Sequence, residues 1–208
     1  MARIHDISQP IGARTAVYPG DPAYRQSWAL SRERGDPVDV AEITIGVHIG
    51  THVDGPGHVL EDATPVGELH LEPFLGPAHV VDAVERGTLA PDLVDGLDLV
   101  RAPRVLFRTR RRVDPTTFPH GYVGIAPALA ERLVASGVRL VGTDAPSVDA
   151  EDAGGLPAHR ILLAGGVAIA ENLVLDDVRP GVYTLVALPL KLVEADSSPV
   201  RAVLVEDE

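Results

Sequence analysis

The chain has 208 residues, a formal net charge of −12 and no cysteine. This length and an ordinary composition, with 45% hydrophobic residues, predict one globular domain over residues 1–208. The lack of cysteine excludes disulfide scaffolds, thiolate metal sites and a cysteine nucleophile. The negative charge argues against a nucleic-acid partner, and no apolar run is long enough to span a membrane. The N-terminus lacks the apolar segment of a signal peptide, so we expect a cytoplasmic protein.

Short β-rich segments recur along the chain, and helical signals are fewer. The pattern predicts strands over 43–49, 78–82, 104–109, 138–143, 182–189 and 200–205. A helix is predicted between the strands at 104–109 and 138–143. Pro127 suits its first turn and Gly137 suits its end. This helix leads directly into an apolar strand. We therefore expect an α/β or α+β domain, compact, with a mixed sheet flanked by few helices.

A short basic run follows the strand predicted at 104–109. It consists of Arg108, Arg110, Arg111 and Arg112. We interpret it as a solvated strand end or loop, with an anion site as the alternative.

Three histidines and one aspartate fall within eleven residues, at His48, His52, Asp54 and His58. Alternation of apolar and polar residues places His48 at the end of the strand predicted at 43–49, on its polar face, and a glycine-rich loop follows. On a straight strand His48 and His52 would lie about 13 Å apart, but Gly50 can supply a bend that brings them together. Nitrogen and oxygen ligands suit Zn, Mn or Fe. The pattern predicts a metal site; three unrelated surface histidines are the alternative.

Two further residues extend this hypothesis. His159 precedes an apolar run at 161–164 and is predicted to lie in a loop, where a lone histidine is usually a surface residue. Glu171 ends a predicted strand and continues its apolar face, which is costly for an acid unless it is paired or bound to a metal. Asp144 and Asp149 follow a buried strand and fit a functional loop as well as an ordinary turn.

The segment 48–58 resembles the signature of the metal-dependent cyclase superfamily, which includes the bacterial kynurenine formamidases. Its matching positions read His48-x-Gly50-Thr51-His52-x-Asp54-x-Pro56-x-His58. Other segments that resemble the family lie at 6–8, 17–21, 142–149, 171–175, 187–190 and 196–204, and the last two resemble the formamidase branch in particular. The resemblance implies a compact α/β fold with a mixed sheet, and a homodimer or homotetramer.

The resemblance also implies a centre with two divalent metal ions, zinc or, as the alternative, manganese. His48, His52 and Asp54 match ligands of one ion. His159 matches a ligand of the second ion, and Asp54 and Glu171 match carboxylates that bridge the two.

Two more roles follow from the resemblance. His58 matches the catalytic acid/base. Tyr18 falls where kynurenine formamidases carry a Trp that lines the substrate pocket, and it is the implied substrate-binding residue.

The implied activity is that of a metal-dependent aryl formamidase of tryptophan catabolism. It would hydrolyse N-formylkynurenine, or a related N-formyl aryl amine, to the aryl amine and formate, with water activated by the metal and His58 as acid/base. The first alternative is another amidase of the family, such as one that opens isatin-like cyclic amides. The second is a non-catalytic metal-binding protein, which would have no need of His58 beside a filled site. The implied partner is a small aromatic amide.

Overall fold

The computed structural model describes residues 2–206, which form a nine-stranded sheet, a separate two-stranded hairpin and two α-helices. The strands are β1 (Arg3–Asp6), β2 (Arg25–Leu30), β3 (Val40–Thr44), β4 (His52–Asp54), β5 (Leu75–Asp82), β6 (Arg104–Arg108), β7 (Leu140–Thr143), β8 (Ala168–Glu171), β9 (Gly181–Val186), β10 (Ser197–Pro199) and β11 (Val203–Glu206). The helices are α1 (Pro127–Ala135) and α2 (Pro157–Ala164). Neither helix is long and apolar enough to cross a membrane, and residues 2–206 contain no other candidate.

The large sheet is mixed, as predicted. Its strand order is β1-β11-β9-β5-β6-β7-β8-β4-β10. Strands β5 to β8 run parallel to one another, whereas the outer strands pair antiparallel. Because α1 and α2 connect β6 to β7 and β7 to β8, they supply the crossovers that parallel strands need. The expected fold class is confirmed as an α+β arrangement with few helices.

The sheet is buried on both faces. Val105 and Phe107 of β6 belong to the core that includes Leu129 of α1 and Leu162 of α2. The residue between them, Leu106, points the other way into a second core. Two cores on one sheet give the strand ends beside α2 a rigid support.

Most predicted elements are confirmed, with differences at their ends. The strands predicted from 78 to 205 correspond to β5, β6, β7, β9 and β11, and the predicted helix is α1, followed by Gly137 at φ 72°.

The strand predicted over 43–49 is wrong beyond Thr44. Here the chain makes a turn in which the Ile49 N–H donates to the Gly46 carbonyl at 3.3 Å. Gly46 lies so close to Pro22 that a Cβ would sit 3.2 Å from its ring. The period-two pattern thus runs across an exposed hairpin strand and a turn, and His48 lies in the turn, not at a strand end.

Gly50 makes the bend between this turn and β4. Its φ is 59°, and a Cβ would lie 3.1 Å from Cγ1 of Ile11.

We expect Gly50→Ala to lower the free energy of unfolding by roughly 1–2 kcal/mol and to weaken metal binding, because His48 and His52 flank the bend. Gly96→Ala is the matched control, since its φ is 75° but open space surrounds it. Urea unfolding and a metal titration check this, and unchanged metal affinity in Gly50→Ala would contradict it.

Candidate metal centre

Strand β4 carries two of the predicted residues to one face of the sheet. His52 and Asp54 are two positions apart, so their side chains project from the same side. The antiparallel register places Glu171 of β8 opposite His52 and Ser197 of β10 opposite Asp54. Glu171 therefore reaches the same face from the end of its strand, where the sequence predicted it. All four side chains are buried.

His48 joins this group from the turn before β4. The bend at Gly50 brings the centroid of its ring to 5.0 Å from that of His52. Its Nδ1 lies 3.2 Å from Oδ1 of Asp54, and its Nε2 lies 2.8 Å from Oδ2 of Asp196. A neutral imidazole can donate to only one of these carboxylates. Either the ring is cationic or a metal ion takes the place of the second proton.

His159 reaches the centre from the first turn of α2, not from a loop as the sequence predicted. Leu156 precedes this helix in a left-handed conformation and makes no side-chain cap. Asp149, which lies outside the helix in sequence, provides the cap. Its carboxylate accepts hydrogen bonds from two backbone N–H groups in the first turn of α2, at 2.8 and 3.1 Å. It also contacts Nδ1 of His159 at 2.7 Å, which turns Nε2 toward Glu171 (3.2 Å) and Asp54 (3.6 Å).

Asp196 is the functional residue that the sequence prediction missed. One of its oxygens, Oδ2, accepts from Nε2 of His48 at 2.8 Å and from Nδ1 of His58 at 3.2 Å. His58 lies in the 3-10 turn Pro56–His58, with its ring centroid 4.4 Å from that of His48. Asp196 lies in a segment that resembles the family, but no other chemical group near it in sequence indicated a role.

The centre of the cluster contains polar atoms without hydrogen-bond partners among the described residues, namely Nε2 of His52 and Oδ2 of Asp54. The Gly50 carbonyl accepts from Nδ1 of His52 at 2.9 Å, so Nε2 presents a lone pair. This lone pair lies 3.5 Å from oxygens of both Asp54 and Glu171. Such an arrangement is unfavourable unless a proton or a metal ion lies between the atoms. These buried nitrogen and oxygen donors fit a divalent metal ion.

Protons and a metal would compete for this cluster. Burial lowers the pKa of His159, but Glu171, Asp149 and Asp54 outweigh it and raise the pKa to about 12. Burial also lowers the pKa of His48, which Asp54 and Asp196 nevertheless raise to about 9. Conversely, burial raises the pKa of Asp54, and the histidines around it hold that pKa well below its usual value. Metal affinity should therefore increase with pH, because the ion must displace these protons.

The donor atoms form three groups in which all atoms lie within 4.8 Å of one another. The groups are His48–His52–Asp54, Asp54–His159–Glu171 and His48–His58–Asp196. The first two share Asp54 and contain the five residues that the family resemblance implies as ligands. The structure brings these five together, and their roles as ligands stay predictions.

A cavity of about 330 Å³ opens onto the cluster. Tyr18 and Phe118 form part of its wall, with their rings edge to face and their centroids 5.3 Å apart. The Tyr18 side chain is partly exposed, and Pro115 and Pro119 add further apolar surface. The cavity therefore offers an aromatic wall next to the polar cluster, and Tyr18 lies where a flat substrate ring could contact it.

Comparison with known proteins assigns the chain to a family. The family model named Cyclase matches residues 5–150. The chain belongs to the cyclase family. It is 44% identical over 207 residues to kynurenine formamidase of Bordetella avium, with 99% of each chain covered.

Solved structures agree with this assignment to the cyclase family. The chain shares 30% identity and a TM-score of 0.86 with a structure described as a potential metal-dependent hydrolase with cyclase activity, over 100% of both chains. Isatin hydrolase A of Labrenzia aggregata has a TM-score of 0.86 at 24% identity, over 100% of this chain and 94% of the other, and this similarity shows the fold alone. The donor set and the metal-dependent relative both indicate a divalent metal.

Metal removal should affect activity and stability together. We expect a chelator to abolish hydrolysis and to lower the melting temperature, because Asp54 and Glu171 would then be neutralised by protons alone. Addition of Zn²⁺ or Mn²⁺ should restore both properties. Elemental analysis alongside the assay checks this, and full activity in protein shown to be metal-free would contradict it.

The sharing of Asp54 predicts unequal effects on metal stoichiometry. Asp54→Ala should lose both ions, because its carboxylate belongs to both groups, whereas His159→Ala should retain one. His120→Ala, an exposed histidine paired with Glu151, is the control that should keep the wild-type metal content. Metal analysis after dialysis, with circular dichroism to verify folding, distinguishes these outcomes. Loss of a single ion in both Asp54→Ala and His159→Ala would indicate a mononuclear site.

Proposed function

We propose that this cyclase-family protein is an aryl formamidase that hydrolyses N-formylkynurenine, or a closely related N-formyl aryl amine, to the aryl amine and formate. The observation that carries the proposal is the pair of nitrogen–oxygen metal groups sharing Asp54 beneath an aromatic-walled cavity, with His58 beside them. The 44% identity to a kynurenine formamidase over nearly the whole chain supports it. Zinc or manganese in both groups, a single domain, a homodimer or homotetramer and a cytoplasmic location are further parts of this proposal.

Five residues would hold the metal. His48, His52 and Asp54 would bind one ion, and Asp54 with His159 and Glu171 would bind the other. When bound, the metal supplies Lewis acidity that polarises a carbonyl oxygen and lowers the pKa of water toward about 7. The ligand side chains are themselves held in place by hydrogen bonds, as Asp149 orients His159. Little rearrangement is therefore needed when the metal binds.

His58 is the residue suited to move protons. Asp196 accepts from its Nδ1 at 3.2 Å, which leaves Nε2 to accept a proton in the cavity that His58 lines. In hydrolysis the oxygen of water bonds to the formyl carbon and the carbon–nitrogen bond breaks. Nε2 of His58 takes a proton from the water and delivers it to the anilide nitrogen, so that the aryl amine leaves as a neutral molecule.

The aromatic wall suits the aryl group of such a substrate. Tyr18 and Phe118 both line the cavity and contact each other edge to face, so they form an apolar aromatic surface. By the family resemblance Tyr18 matches a Trp of the kynurenine formamidases, so the aromatic contact would be kept with a smaller ring and a hydroxyl group.

A substrate panel tests the proposed function directly. Metal-loaded protein should hydrolyse N-formylkynurenine with a higher kcat/KM than it shows for isatin, whose opening releases no formate. Formate release and the absorbance of the aryl amine are measured separately. A higher kcat/KM for isatin than for any formanilide would contradict the proposal and favour the cyclic-amide alternative.

Replacement of His58 separates catalysis from metal binding. We expect His58→Ala to keep its metal while kcat falls by roughly 10²- to 10⁴-fold, the range for loss of a positioned acid/base. The loss should be larger for substrates with poorer amine leaving groups, because protonation of nitrogen then limits the rate.

The competing role for His58 is that of a metal ligand, since it belongs to the group with His48 and Asp196. Metal content after dialysis decides between the two roles, with His120→Ala as the control. A metal-depleted His58→Ala protein would refute the acid/base role, as would a metal-replete variant with wild-type kcat.

A further inference from the structure

The arginines at 108–112 do not share one environment. Arg108 forms an ion pair with Asp82, and Arg111 forms one with Glu85, as expected for a solvated run. Arg110 instead lines the cavity above the metal centre. Nη1 of Arg110 donates to the Asp144 main-chain carbonyl at 3.5 Å, and within residues 2–206 no carboxylate lies within 4.0 Å of its guanidinium. Arg112 is exposed and does not line the cavity, so the anion-site alternative for this run applies to Arg110.

Arg110 projects from a firmly held stretch of main chain. The Arg110 N–H donates to Oδ2 of Asp144 at 3.1 Å, and Oδ1 of Asp144 accepts from the N–H of Thr109 at 2.9 Å. Asp144 is fully buried at the end of β7. Since both anchoring bonds involve a buried carboxylate, the base of the Arg110 side chain is fixed with respect to the sheet that carries the metal centre.

The charges that line the cavity away from the centre match an amino acid. Apart from the residues of the cluster, they belong to Arg110, Asp21 and Asp114. Asp114 is held in place by hydroxyl groups of its own turn, from Thr116 at 2.7 Å and Thr117 at 2.9 Å. One cation and two anions in a half-enclosed space suit a ligand that carries both a carboxylate and an ammonium group.

We propose that Arg110 binds the α-carboxylate of N-formylkynurenine and thereby makes the enzyme specific for formanilides that carry an amino-acid side chain. This inference rests on the proposed function. With the formamide at the metal centre and the aryl ring against Tyr18 and Phe118, the amino-acid end must occupy the remaining part of the cavity. A planar guanidinium without a carboxylate partner can bind that carboxylate through two parallel hydrogen bonds. Simple formanilides and isatin lack this group and cannot make that pair of hydrogen bonds with Arg110.

The test compares two substrates that differ only in the carboxylate, N-formyl-L-kynurenine and N-formylkynuramine. In Arg110→Gln, kcat/KM for N-formyl-L-kynurenine should fall on the order of 10- to 100-fold, mainly through KM, as expected for loss of a charge-assisted contact. For N-formylkynuramine the change should stay within about two-fold, because that substrate makes no such contact. Arg111→Gln is the matched control, since its partner Glu85 lies at the surface.

Two further measurements keep the test decisive. The wild-type enzyme should itself have a higher kcat/KM for N-formyl-L-kynurenine than for N-formylkynuramine, by a similar factor. This measurement does not depend on the folding of a variant. Calorimetric titration with the products should show that Arg110→Gln loses affinity for kynurenine but not for kynuramine. Equal kcat/KM of the wild type for both substrates, or an equal loss of both in Arg110→Gln, would overturn this inference alone. Failure of the metal-loaded wild type to hydrolyse any formanilide would overturn the proposed function and this inference with it.

Discussion

The burial of two carboxylates next to each other is the constraint on which the site depends. Asp54 and Glu171 are almost completely enclosed at the end of the sheet, where ionised acids are costly unless cations neutralise them. Three imidazoles converge on the pair, but hydrogen bonds to other groups occupy a nitrogen of each ring. The free nitrogens and carboxylate oxygens point at one another, which is a stable arrangement when metal ions lie between them.

The fold meets this constraint by fixing each candidate ligand through strand pairing and hydrogen bonds. Strand pairing places His52, Asp54 and Glu171 on one face of two adjacent strands, β4 and β8. Each group is also held by a hydrogen bond, His52 to the Gly50 carbonyl, Asp54 from the Ser197 hydroxyl and Glu171 from the Val148 N–H. Such support reduces the reorganisation that binding and catalysis need, and it limits the cost of the buried charges. The cavity above, with its aromatic wall and Arg110, lies over a nearly rigid base.

The sequence predicted those features that depend on local pattern. The central strands follow from apolar runs, α1 follows from Pro127 and Gly137, and the cluster at 48–58 follows from spacing together with the family resemblance. The errors occur where distant groups determine the structure. Helix α2 has its N-terminus capped by Asp149 rather than by an adjacent residue, so the position of His159 in a helix left no local signal. Likewise, Asp196 acts through contacts with histidines far away in the chain, and no spacing rule would have paired them.

The proposed centre requires that Asp54, shared between two groups of donors, holds metal ions beside strands β4 and β8. Crystals of the zinc-loaded protein, measured on both sides of the zinc absorption edge, test it most directly. We expect two anomalous peaks on either side of Asp54, one beside His52 and the other beside His159. A single peak among His48, His58 and Asp196, with none next to Asp54, would contradict it.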